Sequence, residues 1–235
     1  MNRPYTICHI FCALDGAIVG NYMYAPETTA AREQYGKLRA TFNSNAILYG
    51  TTTMLDFCDG YVDNLKASQP INREDYIVAS QEKNYVIAID SLGKLAYSNN
   101  CLVRHGIKQQ IIVVLSTKVE DAYLQYLQQL KISYIFAGET SLDCEIIMKK
   151  LKEKFGIERL LIAGGGYTDW AFADAGMIDE LSLVLAPAAD GEHQVSVFQR
   201  NESSRHSSIT FTLKEVQQVN GNGVWLRYTF NNAKK

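Results

Sequence analysis

Apolar runs without alternation are the feature that most restricts the fold of this chain. Runs rich in β-branched and aromatic residues occupy residues 5–14, 46–49, 84–89, 110–115, 132–136, 157–163 and 181–186. A strand that is half exposed alternates apolar and polar residues, whereas several of these runs are apolar throughout. Such runs suit strands that are covered on both faces, as in parallel sheets.

Helical patterns lie between the apolar runs. The spacing predicts helices over residues 26–42, 119–130 and 142–154, and the last of these ends in lysines before Gly156. Strands and helices that alternate along a chain indicate an α/β fold, with a mostly parallel central sheet and flanking helices. We expect a single domain over residues 1–235, since no low-complexity linker divides the chain.

The end of the chain has a different pattern. Residues 209–218 and 223–230 alternate strictly, with NGNG between them, which predicts an antiparallel hairpin added to the sheet. Residues 59–76 are polar and unpatterned, and we expect them to form a surface loop.

Composition excludes several classes of partner. The chain of 235 residues is 47% hydrophobic and 20% charged, with a net charge of −2. Its Lys and Arg residues are scattered, so no basic patch for nucleic acid or an anionic membrane is expected. The N-terminal apolar run is broken by His9 and closed by Asp15, and no run reaches the length of a membrane span. We therefore expect a cytoplasmic protein.

The cysteines give no sign of a disulfide framework or a metal site. There are five, at positions 8, 12, 58, 101 and 144, and none forms a CxxC pair or has a histidine at zinc-site spacing. We expect reduced thiols and no bound metal.

The stretch ERLLIAGGGYTDWAFADAG, residues 158–176, passes from an apolar run through three glycines into a helical pattern. Amides at the start of a helix can bind a phosphate, and glycines allow a ligand close to the backbone. The glycines could equally serve only to turn the chain. The spacing is neither GxGxxG nor that of a P-loop, so both interpretations stay open.

Asp15 and Gly16 directly follow the first apolar run. An acid at this point can reach the sheet edge where α/β proteins bind ligands, but an Asp-Gly pair is also a common turn. His9 shares a strand face with Asp15 at a distance of roughly 20 Å. It is therefore no dyad partner of Asp15, and either a core or a substrate-facing position is open to it.

Hydroxyl side chains follow three further apolar runs. Three threonines follow Gly50, Ser91 follows Asp90, and Ser116 precedes Thr117 and Lys118. Hydroxyls at a helix start can cap the helix or bind an anion, and the lysine could meet a phosphate. Their repetition at strand ends is more informative than any single occurrence.

Six segments together resemble one family. They are ALDG (13–16), AILYGTTTM (46–54), VIAIDSLGKL (86–95), VVLSTK (113–118), LLIAGGG (160–166) and AGMIDELSLVLAPAADG (175–191). In this order they are similar to the RibD C-terminal, dihydrofolate-reductase-like reductases of riboflavin biosynthesis, over nearly the whole chain. The HxE and PCxxC pattern of the zinc deaminase domain that often precedes this reductase is missing.

The resemblance implies a dihydrofolate-reductase-like fold, homodimers, and NADPH as cofactor, with NADH not excluded. It implies a reductase like the one that acts on 5-amino-6-(5-phosphoribosylamino)uracil, in which hydride goes to the sugar C1′ of a ribosylaminopyrimidine. The substrate expected here is a pyrimidine- or pterin-like small molecule.

The resemblance also assigns site residues. The cofactor pyrophosphate would be held by Gly164, Gly165, Gly166, Tyr167 and Thr168, and the same cofactor would be lined by Thr53, Ser91 and Ser116. Asp15 would be catalytic, while His9 and Thr28 would face nicotinamide or substrate.

Three positions depart from the family pattern. His9 replaces the usual lysine, Ala163 replaces the usual glutamate, and Gly50-Thr51-Thr52-Thr53 replaces the GRxT of many relatives. Two hypotheses follow: an NAD(P)H-dependent reductase, or a non-catalytic nicotinamide-nucleotide-binding relative that has lost the substrate site. NADPH binding is common to both, and only the first predicts turnover.

Overall fold

The computed structural model describes residues 2–67, 70–104, 106–191, 195–200, 204–205 and 208–231. The strands are β1 (Tyr5–Cys12), β2 (Ala46–Tyr49), β3 (Tyr85–Ile89), β4 (Cys101–Arg104), β5 (Ile107–Leu115), β6 (Ser133–Phe136), β7 (Arg159–Ile162), β8 (Glu180–Leu185), β9 (Phe211–Val219) and β10 (Gly223–Phe230). The α helices are α1 (Thr29–Thr41), α2 (Thr51–Met54), α3 (Asp121–Gln129), α4 (Cys144–Phe155) and α5 (Gly166–Asp174).

The expected fold class is confirmed: the chain is mixed α/β, its strand pairs are mostly parallel, and it ends in an antiparallel hairpin. Each predicted apolar run contains a strand, although its ends move by up to three residues. The sequence patterns missed β4, a four-residue strand that pairs antiparallel with β5. Its residues are only half-buried or exposed, so it has no apolar run to mark it.

The chain divides into two compact units. The first unit comprises Met1–Pro4 and Asn45–Glu158, and the second comprises Tyr5–Ser44 and Arg159–Lys235. The single-domain expectation for residues 1–235 stays a prediction.

The first unit is built on the strand order β4-β5-β3-β2. β2, β3 and β5 are parallel, and β6 pairs parallel with the second half of β5, beyond the segment that pairs with β4. The residues of β2 and β6 are all buried, which explains their unbroken apolar sequences.

Helix α4 of the first unit illustrates how local sequence fixes an element. The Asp143 carboxylate accepts hydrogen bonds from the amides of Glu145 and Ile146, at 2.8 and 3.1 Å, and so caps the helix. Gly156 ends it at φ 65°, a left-handed conformation that glycine adopts without strain. The predicted helix over residues 142–154 is therefore shifted by only one or two residues.

The second unit has the strand order β7-β1-β8-β10-β9. β1 lies between β7 and β8 and is parallel to both, while β10 and β9 are antiparallel. Seven of the eight β1 residues are buried. Because β7, β1 and β8 are parallel, the loops that follow them leave the sheet at the same edge.

The predicted surface loop over residues 59–76 contains no helix or extended strand in its described part, and residues 68–69 lie outside the described residues. Tyr61 and Tyr76 form isolated bridges with Leu95 and Tyr134. In the described ranges no helix has the length and apolarity needed to cross a bilayer. Among the same residues no group of three His, Cys, Asp or Glu side chains is arranged to hold a metal ion.

Candidate functional site

The three glycines connect β7 to α5 in the second unit. β7 ends at Ile162, Gly165 is the N-cap, and α5 begins at Gly166. The loops after β1 and β8, which contain Asp15 and Asp190, leave the same edge of this sheet. The predicted strand, glycine turn and helix are therefore present. We call residues 163–168 the glycine loop.

The first turn of α5 leaves backbone donors unused. Asp169 makes the first amide bond of the helix, to the carbonyl of Gly165 at 3.0 Å. The amides of Gly166, Tyr167 and Thr168 precede it and have no acceptor among the described residues. Three such amides at the positive end of a helix dipole are suited to an anion.

Two of the three glycines also have a structural reason. Gly165 has φ 48°, a left-handed conformation that a side chain would strain. A Cβ on Gly166 would lie 2.1 Å from the carbonyl oxygen of Ser196. The chain therefore needs glycine at both positions to turn and to pack, whether or not a ligand binds.

The two residues after the glycines differ in exposure. Tyr167 is exposed, and its hydroxyl accepts a hydrogen bond from Nε2 of Gln199 at 3.0 Å. Thr168 is half-buried. Both contribute an unused amide to the glycine loop, so their backbone matters more to an anion than their side chains.

Asp15 is exposed and its carboxylate is held by backbone amides. One oxygen accepts from Asp190 and Gly191, each at 2.8 Å, and the other accepts from Ala17 at 3.2 Å. The hydrogen bond from Gly191, followed by those from Ala17 and Asp190, lowers the pKa of this carboxyl. Asp15 is thus an anion that joins the loops after β1 and β8, which makes it a poor proton donor.

His9 lies in the core of the second unit. Its side chain is fully buried, with Nδ1 2.9 Å from Oγ of Ser182 and Nε2 3.0 Å from the carbonyl oxygen of Tyr35. Trp225 donates its indole N–H to the same Ser182 oxygen, so the serine hydroxyl donates to Nδ1 and Nε2 carries the proton. Of the two positions left open by the sequence, the structure gives His9 the core position, which does not place it against a substrate.

Burial governs the charge of His9. Desolvation lowers its pKa to about 4, with the hydrogen bond to Tyr35 opposing the shift and nearby Arg39 adding to it. The imidazole is consequently neutral at neutral pH. It also stacks on the Tyr35 ring, with the ring centroids 4.3 Å apart.

Thr28 is also fully buried. Its hydroxyl donates to the carbonyl oxygens of Tyr22 and Ala25, at 2.6 and 2.9 Å. The side chain holds the turn before α1 together, and the structure gives it no open face toward a substrate.

Asp169 is a residue that the sequence patterns did not single out. It lies in α5 directly after the glycine loop and is fully buried, and neither carboxyl oxygen has a hydrogen-bond partner within the described residues. Its polar neighbours are the amide of Gly164 and the thiol of Cys8. A usable signal was its spacing of three and four residues from the buried Phe172 and Ala173, which puts an acid on the apolar face of the helix.

In the first unit, the acid after β3 is bonded to its own turn and to α3. The buried carboxylate of Asp90 accepts from the amides of Lys94 and Leu95 and from the hydroxyl of Tyr123, all within 3.0 Å. Ser91 follows it and is half-buried, and its hydroxyl makes no hydrogen bond to any residue that the structure describes.

Ser116, after β5, is buried and bonded within the same unit. Its hydroxyl donates to the carbonyl oxygen of Ser91 at 2.8 Å and accepts from the amide of Lys118 at 3.2 Å. The Lys118 ammonium is 3.1 Å from the carboxylate of Glu139, in an exposed pair. Ser116 and Ser91 are thus brought together, with only the Ser91 hydroxyl left unbonded.

Of the threonines after β2, one has a bonded hydroxyl and another has an unbonded one. Thr51 donates its hydroxyl to the carbonyl oxygen of Ile89 at 2.6 Å, which ties α2 to the end of β3. Thr53 is half-buried, and its hydroxyl has no partner in the described part of the chain. Capping therefore does not account for Thr53.

Solved structures of pyrimidine and riboflavin-pathway proteins have this fold. RibD of Acinetobacter baumannii matches with a TM-score of 0.67 and 19% identity, over 98% of this chain and 59% of that chain. A pyrimidine reductase-like protein of Corynebacterium diphtheriae matches with a TM-score of 0.68 and 15% identity, over 97% and 92% of the two chains. The riboflavin biosynthesis reductase Rib7 of Saccharomyces cerevisiae matches with a TM-score of 0.60 and 15% identity, over 98% and 91%.

These matches confirm the expected dihydrofolate-reductase-like fold class. The chain spans somewhat more than half of the A. baumannii protein, which is the longer of the two. The sequence itself matches the family model described as RibD C-terminal domain over residues 4–225. This match covers nearly the whole chain and confirms the resemblance found in the six motifs: the chain belongs to the RibD C-terminal domain family.

Proposed function

We propose that this chain is an NADPH-dependent reductase of a pyrimidine- or pterin-like small molecule, related to the reductase step of riboflavin biosynthesis. The family match and the likeness to pyrimidine and riboflavin-pathway reductases support a reductase. The observation that carries the cofactor assignment is the run of amides at Gly166, Tyr167 and Thr168, none of which has an acceptor among the residues that the structure describes.

The glycine loop fits a pyrophosphate. Its three donors that lack an acceptor among the described residues are consecutive, α5 is nine residues long, and Tyr167 is exposed. A diphosphate would gain charge-assisted hydrogen bonds there without displacing an existing acceptor. In this proposal Gly164 and Gly165 shape the loop, while residues 166–168 provide its donors.

The bound cofactor would supply a hydride, and the chain would supply position and electrostatics. Asp15 keeps a negative charge and ties two loops together at the edge where the glycine loop also begins. In this proposal it orients the site and does not donate the proton. His9 and Thr28 are buried in the second unit, and we do not propose them as substrate contacts.

Thr53 and Ser91 stay proposed cofactor contacts, since each keeps a hydroxyl free for a ligand in the described structure. Ser116 stays proposed as well, in the weaker sense that it holds Ser91 in place. The absence of an arginine from Gly50-Thr51-Thr52-Thr53 bears on the choice between NADPH and NADH. NADH is therefore the competitor to test beside NADPH.

We further propose a cytoplasmic homodimer. β9 is the edge strand of the second unit, and its Leu213 and Val216 are both more than half exposed. An edge strand with exposed apolar residues is commonly covered by another chain. Light scattering at micromolar concentration should give twice the monomer mass, and a monomer mass would contradict this.

A second candidate is a protein that binds the nucleotide and has lost catalysis. It is favoured by the state of the three residues named for chemistry or substrate, since Asp15 is a bonded anion and His9 and Thr28 are buried. Ala163, at the position of the usual glutamate, adds no acid.

One pair of assays tests the function and separates the candidates. A ligand that binds only the folded state raises the melting temperature by mass action, so NADPH at millimolar concentration should raise it. Oxidation of NADPH in the presence of the phosphoribosylaminopyrimidine would support the reductase. Stabilisation without turnover on this compound or on a pterin would favour the second candidate, and no stabilisation by NADPH or NADH would reject both.

A further inference from the structure

The buried acid behind the glycine loop is not used by the function proposed above. Asp169 is fully buried, and both of its carboxyl oxygens lack hydrogen-bond partners among the described residues. An unpartnered polar group inside a protein costs free energy of folding, so a chain keeps one where it has a further use. Its place in the first turn of α5 puts that use at the glycine loop.

The surroundings of Asp169 favour its neutral form. Burial raises the pKa of the carboxyl well above its usual range, and the neighbouring Gly164 amide and Cys8 thiol offset this only in part. The thiol is itself buried on β1, and burial, reinforced by Asp169, raises its pKa as well. Neither the Gly164 amide nor the Cys8 thiol supplies a positive charge, so the Asp169 carboxyl is neutralised by a proton.

A neutral acid suits an anion site, and a carboxylate does not. An ionised carboxylate in this turn would repel a phosphate that approaches the amides of Gly166, Tyr167 and Thr168. A protonated carboxyl removes the repulsion and still offers a carbonyl oxygen to the amide of Gly164. Asp169 would then fix the residue at which the chain leaves β7 and enters the turn.

We propose that Asp169 is a positioning residue: held as a neutral carboxylic acid, it orients the glycine loop so that the first turn of α5 can accept an anion. The ligand part of this inference rests on the proposed function. The neutral acid and the ordered loop are properties of the protein alone, and they can be measured without any cofactor.

The first experiment measures the charge of the carboxyl. Protein labelled with ¹³C at the aspartate carboxyl carbon is examined by NMR at pH values around 7, as wild type and as Asp169→Asn. We expect one signal at the position of a protonated carboxyl, and its absence from the variant assigns it. If all aspartate carboxyls are ionised at about pH 7, the proposal is overturned.

The second experiment measures the loop. Asp169→Asn keeps a neutral carbonyl beside Gly164, whereas Asp169→Leu keeps the branched shape without the carbonyl and removes a buried polar group, so it should fold. Amide hydrogen exchange at Gly164 without ligand should be similar in wild type and Asp169→Asn, and about fivefold faster in Asp169→Leu. Equal exchange in the two variants would overturn the positioning role.

The third measurement links the loop to the cofactor. NADPH affinity should stay within about twofold in Asp169→Asn and fall about fivefold in Asp169→Leu, because only the latter loses the carbonyl. If wild type binds neither NADPH nor NADH, the proposed function fails, and the NMR and exchange results still decide the role of Asp169. If NADPH binds wild type and Asp169→Leu equally well, the proposed function stands and the positioning role is rejected.

Discussion

The strand ends of the two units use their polar groups in opposite ways. In the first unit, Asp90 and Ser116 are buried and bonded to the turns at the strand ends, whereas the hydroxyls of Ser91 and Thr53 are unbonded within the described residues. In the second unit, the glycine loop contains three consecutive backbone amides that have no acceptor in the described part of the chain. Polar side chains after a strand therefore often build the turn, and unused donors are the better sign of a ligand.

The glycines of this loop are also explained by the turn itself. Gly165 and Gly166 are required by backbone conformation and by the close approach of Ser196. Their presence does not by itself indicate a ligand, since a turn of this shape would need them in any case. The amides that the turn exposes are the separate observation that does.

The largest effect that we predict tests the packing of the glycine loop. In Gly166→Val the new side chain meets the Ser196 carbonyl, so we expect a loss of more than about 3 kcal/mol in the free energy of unfolding. Gly36→Ala is the matched control, because Gly36 lies in α1 with nothing within 4 Å of its added Cβ. It should gain about 0.5 to 1 kcal/mol, and urea unfolding measures both. A tolerated Gly166→Val would remove the structural reason for this glycine.

The next prediction concerns His9, a polar group whose bonds are all internal. Its pKa is about 4 in the folded protein and about 6.5 when unfolded, so the unfolded chain binds the proton more readily. The contribution of His9 to the free energy of unfolding is fully present above about pH 6.5 and falls by about 3 kcal/mol as the pH is lowered to about 4. The unfolding free energy of wild type minus that of His9→Gln should follow this course. A difference independent of pH would show that His9 is not buried in neutral form.

A smaller effect is expected at the first unit. Asp90→Ala leaves the amides of Lys94 and Leu95 without their acceptor, while the Tyr123 hydroxyl keeps the Leu95 carbonyl, so we expect a loss of about 2 kcal/mol. Ser91→Ala removes an unbonded hydroxyl from the adjacent position and should change stability by less than about 0.5 kcal/mol. Urea unfolding measures both variants. Equal losses of stability in Asp90→Ala and Ser91→Ala would contradict the distinction between bonded and unbonded groups.

The fold was predictable because several of its strands contain unbroken apolar runs. β1, β5 and β8 are buried along most of their length. Strands that are buried on both faces tend to have apolar residues at successive positions. β4 was not predicted, because a short, partly exposed strand has no such run. The final hairpin was visible through alternation and its Asn-Gly turns.

The candidate site was less predictable than the fold. The glycine loop could be located from sequence, because a strand, glycines and a helix follow one another within a few residues. The internal bonds of His9 and Ser116 depend on partners that are distant in sequence, since Ser182 is 173 positions from His9 and Ser91 is 25 positions from Ser116. No local pattern records such a contact. The burial of Asp169 could have been inferred from its helical spacing to Phe172 and Ala173, but its contact with Cys8 could not.

The claim that these amides bind the cofactor pyrophosphate needs a variant that alters only an amide. Gly165→Val is unsuitable, since φ at Gly165 is positive and valine would strain the fold itself. Tyr167 is better placed, because proline is tolerated in the first turn of a helix, where its missing N–H breaks no helical bond. Tyr167→Ala is the matched control, since it loses the same phenol and keeps the amide.

The most direct measurement is therefore the NADPH affinity of Tyr167→Pro and Tyr167→Ala by calorimetry, with ligand-free melting to verify that both fold. Loss of one charge-assisted hydrogen bond should weaken binding about tenfold in Tyr167→Pro relative to Tyr167→Ala. Equal affinities in two variants that fold equally well would contradict the account, because the unused amides would then not be the donors that hold the cofactor.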